Sequence, residues 1–203
     1  MISFDKIKIH LPQYLTEESQ KNLFSELEQF PGNMDDRLYT TVQKNTETIF
    51  QGDGIKEMLF INFPDTNVGK APGMILSNTC DIDITNERFI APNIIYAPII
   101  RLKNLINMLE EEGITKEKIE GYYNSIINQK ITQFFYLPKG GSLEDDSIAM
   151  LDKICSCDSE FINRKSVKDI RLFTLSQYGL YFFLIKLSIH FTRIREGVDR
   201  ALI

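Results

Sequence analysis

Residues 70–100, KAPGMILSNTCDIDITNERFIAPNIIYAPII, constrain the fold more than any other part of the chain. The apolar run GMIL (73–76) stops abruptly at SNTCD, and a second run, IIYAPII (94–100), follows a polar connection. Apolar runs of this length between turn residues predict two buried strands. Pro98 has no N–H to give to a ladder, which predicts that its end of the strand lies at a sheet edge or a bulge. Where the first run ends, Ser77, Asn78, Thr79, Cys80 and Asp81 gather hydroxyl, amide, thiol and carboxylate groups, and such a strand end is a natural place for chemistry.

The flanks extend this pattern. MLFINF (58–63) predicts a third strand, closed by Pro64 and Asp65, and Gly69 and Pro72 predict a loop leading into the central stretch. LYTTV (38–42) and TIF (48–50) predict short strands before the turn GDG (52–54). ITQFFYLP (131–138) and residues 148–157 predict two more. Elsewhere the period is helical. Thr16 caps a helix carrying Leu23, Phe24, Leu27 and Phe30. Leu102, Leu105, Ile106 and Leu109 fall on one face with Gly113 as the stop, and Thr115 caps a helix carrying Ile119, Tyr122, Tyr123, Ile126 and Ile127.

A last, apolar helix runs from about residue 176 to 195, with Leu180, Phe183, Leu184, Leu187 and Phe191 on or near one face. It is long enough to cover an open side of the sheet or to pair with a second copy. The expected fold is a mainly β, α+β domain over residues 1–203. It has a helical arm (1–36), a compact sheet or barrel (37–158) interrupted by a helical hairpin (101–130), and a helical C-terminal segment (159–203).

Charged residues make up 25% of the chain and hydrophobic ones 43%, the balance of a folding globular domain. A formal net charge of -5 argues against coating nucleic acid generally, while leaving room for a local basic groove. Three cysteines, Cys80, Cys155 and Cys157, form no disulfide framework and suit a reducing compartment, so a cytoplasmic location is expected. Residues 1–10 lack the apolar centre of a signal peptide, and Gln177, Lys186 and His190 interrupt the C-terminal apolar run, so no membrane span is expected.

Each reactive group has an ordinary reading beside its chemical one. Asn78 and Asp81 suit an Asx turn, with Cys80 a small buried residue behind them. Cysteine–histidine catalysis would have to recruit His10 or His190, the only histidines. Cys155 and Cys157 lack the spacing of a zinc knuckle, and no metal or cofactor is expected. Arg164, Lys165, Lys168 and Arg171 are the candidate phosphate contacts, although a solvated helix face is the commoner meaning of such a cluster. Glu144, Asp145 and Asp146 read as a surface loop without EF-hand spacing.

The succession MLFINF, a loop with a basic residue, PGMILSNTCD, NIIYAPI, FFYLP and SIAMLDKICSCD resembles the MazF/PemK family of toxin barrels over about residues 52–158. That resemblance implies an SH3-like small barrel, usually a homodimer, which cleaves single-stranded RNA without a metal and is blocked by an antitoxin peptide. Lys70 then stands where the family has a catalytic arginine, and Ile99 and Ile100 where it has a hydroxyl partner. With Lys70, Ser77, Thr79 and Asp81 are the expected lining of the RNA groove. An ammonium is a point charge where a guanidinium binds phosphate bidentately, and isoleucine exchanges no proton. The implied protein therefore cleaves or only binds RNA with a degenerate catalytic set; the alternative is a non-catalytic module that holds a partner protein in the barrel groove.

Overall fold

The computed structural model describes residues 34–162 and 166–192, together with residues 16, 18, 21, 22, 25, 26 and 29–32. Arg164, Lys165, His10 and much of the helix expected after Thr16 lie outside the described residues. The molecule is mixed α+β; among the described residues it has an open antiparallel sheet of eight strands and the five α-helices whose ranges are given below. The strands are β1 (Tyr39–Thr40), β2 (Gly54–Asn62), β3 (Asp65–Ile75), β4 (Asn93–Arg101), β5 (Phe134–Leu137), β6 (Ser147–Met150), β7 (Cys155–Asp158) and β8 (Arg171–Leu175). Their order is β1-β8-β2-β3-β4-β6-β5, with β7 also on β4. Among the described residues no pairing joins the two ends, β1 and β5. The helices are α1 (Thr79–Ile82), α2 (Leu102–Glu111), α3 (Lys116–Ile127), α4 (Val167–Ile170) and α5 (Gln177–Thr192).

Several expectations are corrected, each for a physical reason. The loop expected between Pro64 and Pro72 is part of β3, which pairs with β2 from Asn62↔Asp65 to Gly54↔Met74. Residues 65–70 are exposed, so hairpin pairing rather than burial makes them a strand, and an apolar pattern could not reveal it. The strand expected over residues 148–157 is two strands on one flank of β4: β6 pairs Ile99↔Ala149 and β7 pairs Tyr96↔Cys155, so the register shifts across the break. Pro98 is not at an edge, since β4 is central. Its missing donor falls where pairing with β7 has ended at Tyr96 and pairing with β6 has yet to begin at Ile99.

The expected strand at residues 48–50 is an irregular segment. The Arg171 guanidinium gathers it, donating to the carbonyls of Gln43 (2.8 Å), Thr46 (3.0 Å) and Thr48 while its Nε holds Asp53 Oδ2 at 3.1 Å.

Three apolar clusters fix the layers. Tyr178, Tyr181, Phe182 and Phe183 of α5 pack on Leu38, Phe135, Leu172 and Phe173, so the C-terminal helix covers one side of the sheet. Each such aromatic is worth roughly 1.5–3 kcal/mol on full burial. Ile55, Met58, Ile75, Ile94 and Tyr96 form a second cluster between the bent strands. The third lies beneath α2 and α3, where Leu102, Leu105 and Ile126 meet Phe134 and Ile148. The helical hairpin is as expected, with Gly113 at φ +77 ending its first helix. At the β5 edge the Gln129 amide takes the place of a neighbouring strand at one residue: Nε2 donates to Tyr136 O at 2.9 Å and Oε1 accepts from Tyr136 N at 3.1 Å, so the outward backbone groups of Tyr136 are paired. Among the described residues, no helix is long and apolar enough to cross a membrane.

Candidate functional site

Strands β3 and β4 are paired only at Gly73↔Pro98, Met74↔Ala97 and Ile75↔Tyr96. Continuing that register would set Ala71 against Ile100 and Lys70 against Arg101, but the strands part there and leave a fork. The fork is a cleft of about 540 Å³. One prong carries Lys70, Ala71 and Pro72, and the other carries Ile99, Ile100 and Arg101, with Asn104 above it on α2. Leu172 of β8 and the segment from Ser142 to Asp145 close the remaining side.

A β-bulge supplies a further cation. Ile55 pairs with Gly73 and Met58 with Ala71, so β2 carries one extra residue in this interval. Ile55 and Met58 are both buried, while Lys56 and Glu57 (φ +59) are turned outward and Lys56 joins the cleft. Pro72 lies opposite this bulge, and its nitrogen faces the β4 side, where pairing has already ended at Gly73↔Pro98.

The charges in the cleft are not equivalent. Among the described residues neither Lys56 nor Lys70 has an ion-pair partner, whereas Arg101 lies 3.5 Å from Glu144 and 3.4 Å from Asp145. Asp145 also accepts from Lys103 Nζ at 3.0 Å, and that ammonium holds its carboxyl below the usual range. The floor is apolar, with Ile99 and Leu172 buried. Cations at the rim above an apolar floor can take a ligand that carries anionic groups.

The structure does not bring Ser77, Thr79 and Asp81 to Lys70. They lie past the other end of the paired segment, and seven residues at about 3.3 Å each put Ser77 roughly 20 Å from Lys70. Their polar atoms have structural partners instead. Ser77 Oγ accepts from Ile95 N at 2.8 Å, Thr79 Oγ1 accepts from Gln51 N at 3.0 Å, and Asp81 pairs with Arg88 at 3.1 Å. Asn78 caps α1 by accepting from Cys80 N at 2.9 Å, the local turn its sequence suggested. Cys80 is exposed, which corrects its reading as a packed residue: α1 carries it outward and buries Ile82 in its place.

The basic cluster is dispersed as well. Arg171 is buried, and its donors are taken by Asp53 and the loop carbonyls, so it is not available to a phosphate. Lys168 is exposed on α4 and does not line the cleft. Lys56, Arg101, Asn104 and Ser142 are the lining residues that sequence reasoning missed. Arg101 had no local signal, since it reaches the cleft only because β3 and β4 part beyond Gly73↔Pro98, whereas the signal for Lys56 was the three-residue spacing of Ile55 and Met58. No group of three His, Cys, Asp or Glu side chains able to hold a metal ion occurs among the described residues.

No protein-family model matches this chain, and no curated protein matches it.

Proposed function

We propose that the protein binds single-stranded RNA in the fork between β3 and β4, with Lys56, Lys70 and Arg101 as phosphate contacts. The observation that carries this reading is the pair of unpartnered lysines facing Arg101 across an apolar floor. RNA cleavage there would be weak, since Ile99 and Ile100 offer no proton-transfer group on the prong opposite Lys70. An SH3-like barrel form of the sheet fits this reading. It is supported by the way the β2–β3 hairpin bends over β4 and β7: Tyr96 Oη donates to Leu59 O at 2.7 Å, and Cys155 Sγ lies 3.7 Å from Ile61 O.

The test is binding of an unstructured, mixed-sequence RNA oligonucleotide to the full chain, followed by mapping of the RNA ends. Lys56→Ala/Lys70→Ala is expected to weaken binding about tenfold or more at low salt and to flatten its salt dependence. Binding that is absent, or unchanged in this variant, would sink the reading. The apolar floor formed by Pro72, Ile99, Leu143 and Leu172 favours a second reading, a non-catalytic module that holds a partner peptide in the same cleft.

A further inference from the structure

Glu144 and Asp145 stand at the mouth of the cleft on backbone that is fixed from both sides. Before them, Ser142 N donates to Leu172 O at 2.7 Å and Leu143 is buried. Gly141, at φ +58, lies so close to β8 that a Cβ there would sit 2.8 Å from Leu172 O. After them, Leu102 N donates to Asp146 O at 2.9 Å, and Asp146 Oδ1 accepts from Lys139 N at 2.8 Å. The two carboxylates are therefore presented to Arg101 by a rigid turn.

The contacts themselves are loose. At 3.5 Å from Glu144 Oε2 and 3.4 Å from Asp145 Oδ2, the guanidinium is beyond the range of a good charge-assisted hydrogen bond, and its side chain is 51% exposed. Exposed pairs of this kind are weak and are screened by salt. A carboxylate and a phosphodiester present the same kind of paired oxygen acceptor to a guanidinium. Arg101 is thus occupied by groups that resemble a phosphate and are held loosely enough to be displaced by one.

We propose that Glu144 and Asp145 form an autoinhibitory contact. They mask the Arg101 prong, so single-stranded nucleic acid engages the Lys56–Lys70 prong freely but gains Arg101 only by displacing them. This rests on the RNA reading above, and it makes the acidic turn the element that sets affinity in the cleft.

The test compares binding of the same RNA oligonucleotide to the full chain and to Glu144→Gln/Asp145→Asn, whose side chains keep their size and leave the backbone anchors in place. Binding about three- to tenfold tighter is expected at low salt, with the gain shrinking as salt rises. A control variant, Glu111→Gln/Glu120→Gln, removes as much charge from exposed positions on α2 and α3 outside the cleft, and is expected to give a much smaller gain. In an Arg101→Ala background the gain from Glu144→Gln/Asp145→Asn is expected to vanish. If wild type binds RNA and the acidic-turn variant gains no more than the control, or keeps its gain without Arg101, the autoinhibitory contact is overturned and the RNA reading stands. If none of the proteins binds RNA, the RNA reading fails and the inference fails with it.

Discussion

Arg171 shows how much of this fold can hang on one side chain. Its guanidinium reaches Asp53 and the carbonyls of Gln43, Thr46 and Thr48, and lies 5.9 Å from the centre of the Phe50 ring. Burial pushes the Asp53 carboxyl up to about 6, with the bond from Phe50 N and the nearby guanidinium pulling the other way. Removing the arginine would leave a buried carboxylate and three loop carbonyls without their donor. Arg171→Ala is therefore expected to cost about 3–5 kcal/mol, the range for breaking a buried pair from one side. Urea denaturation measures this, and a loss below about 1 kcal/mol would show the loop to be held by other means. The same burial separates Arg171 from Lys168, which its neighbourhood in sequence had grouped with it as a phosphate contact.

At the scale of elements, the seating of α5 depends on an absent side chain. A Cβ on Gly179 would lie 2.3 Å from Leu38 O, a backbone atom that cannot rotate away. Ser176 fixes the start of the helix on the same segment: its N donates to Leu38 O at 2.8 Å and its Oγ donates to Arg37 O at 2.7 Å. Gly179→Ala should gain about 1 kcal/mol of helix propensity but lose more by pushing α5 off the sheet, giving a net loss of roughly 1–2 kcal/mol. A variant as stable as wild type would mean that the helix can shift without cost. The fork between β3 and β4 belongs to this scale too. Neither strand makes the cleft alone; their parting beyond Gly73 and Pro98 makes it, and the bulge in β2 turns Lys56 towards it.

Whole-molecule stability should carry the signature of Lys186. This residue is 4% exposed between α5 and the segment that enters β5, and its Nζ donates to Gln129 O and to Ile131 O. Burial lowers its pKa to about 8 from an ordinary 10.5. Between those values the unfolded chain binds more protons than the folded one, so stability rises with pH across the window. In the upper part of that window the phenols of the unfolded chain ionise at about pH 10 while desolvation keeps Tyr39, Tyr96 and Tyr136 protonated in the fold, which favours unfolding, so the useful range is about pH 8–9.5. Unfolding free energies over that range should rise for wild type relative to Lys186→Met, and parallel profiles would contradict a neutralising lysine.

The sequence by itself determined the elements whose signal is local and apolar. The strands at the apolar runs 58–63, 73–76 and 94–100, the helical hairpin with its apolar faces and glycine stop, and the long apolar C-terminal helix are all readable from neighbouring residues alone. It also singled out Lys70. Only tertiary structure decided what those elements do together. The polar outer half of β3 is a strand because β2 pairs with it, and Pro98 is tolerated in a central strand because β6 and β7 leave a gap beside it. Arg101 and Lys70 meet across one cleft because β3 and β4 part, and Arg171 is taken out of the basic cluster by a carboxylate 118 positions away. Pairing and ion-pair partners depend on contacts between distant residues, and a local pattern of apolar and polar side chains does not encode them.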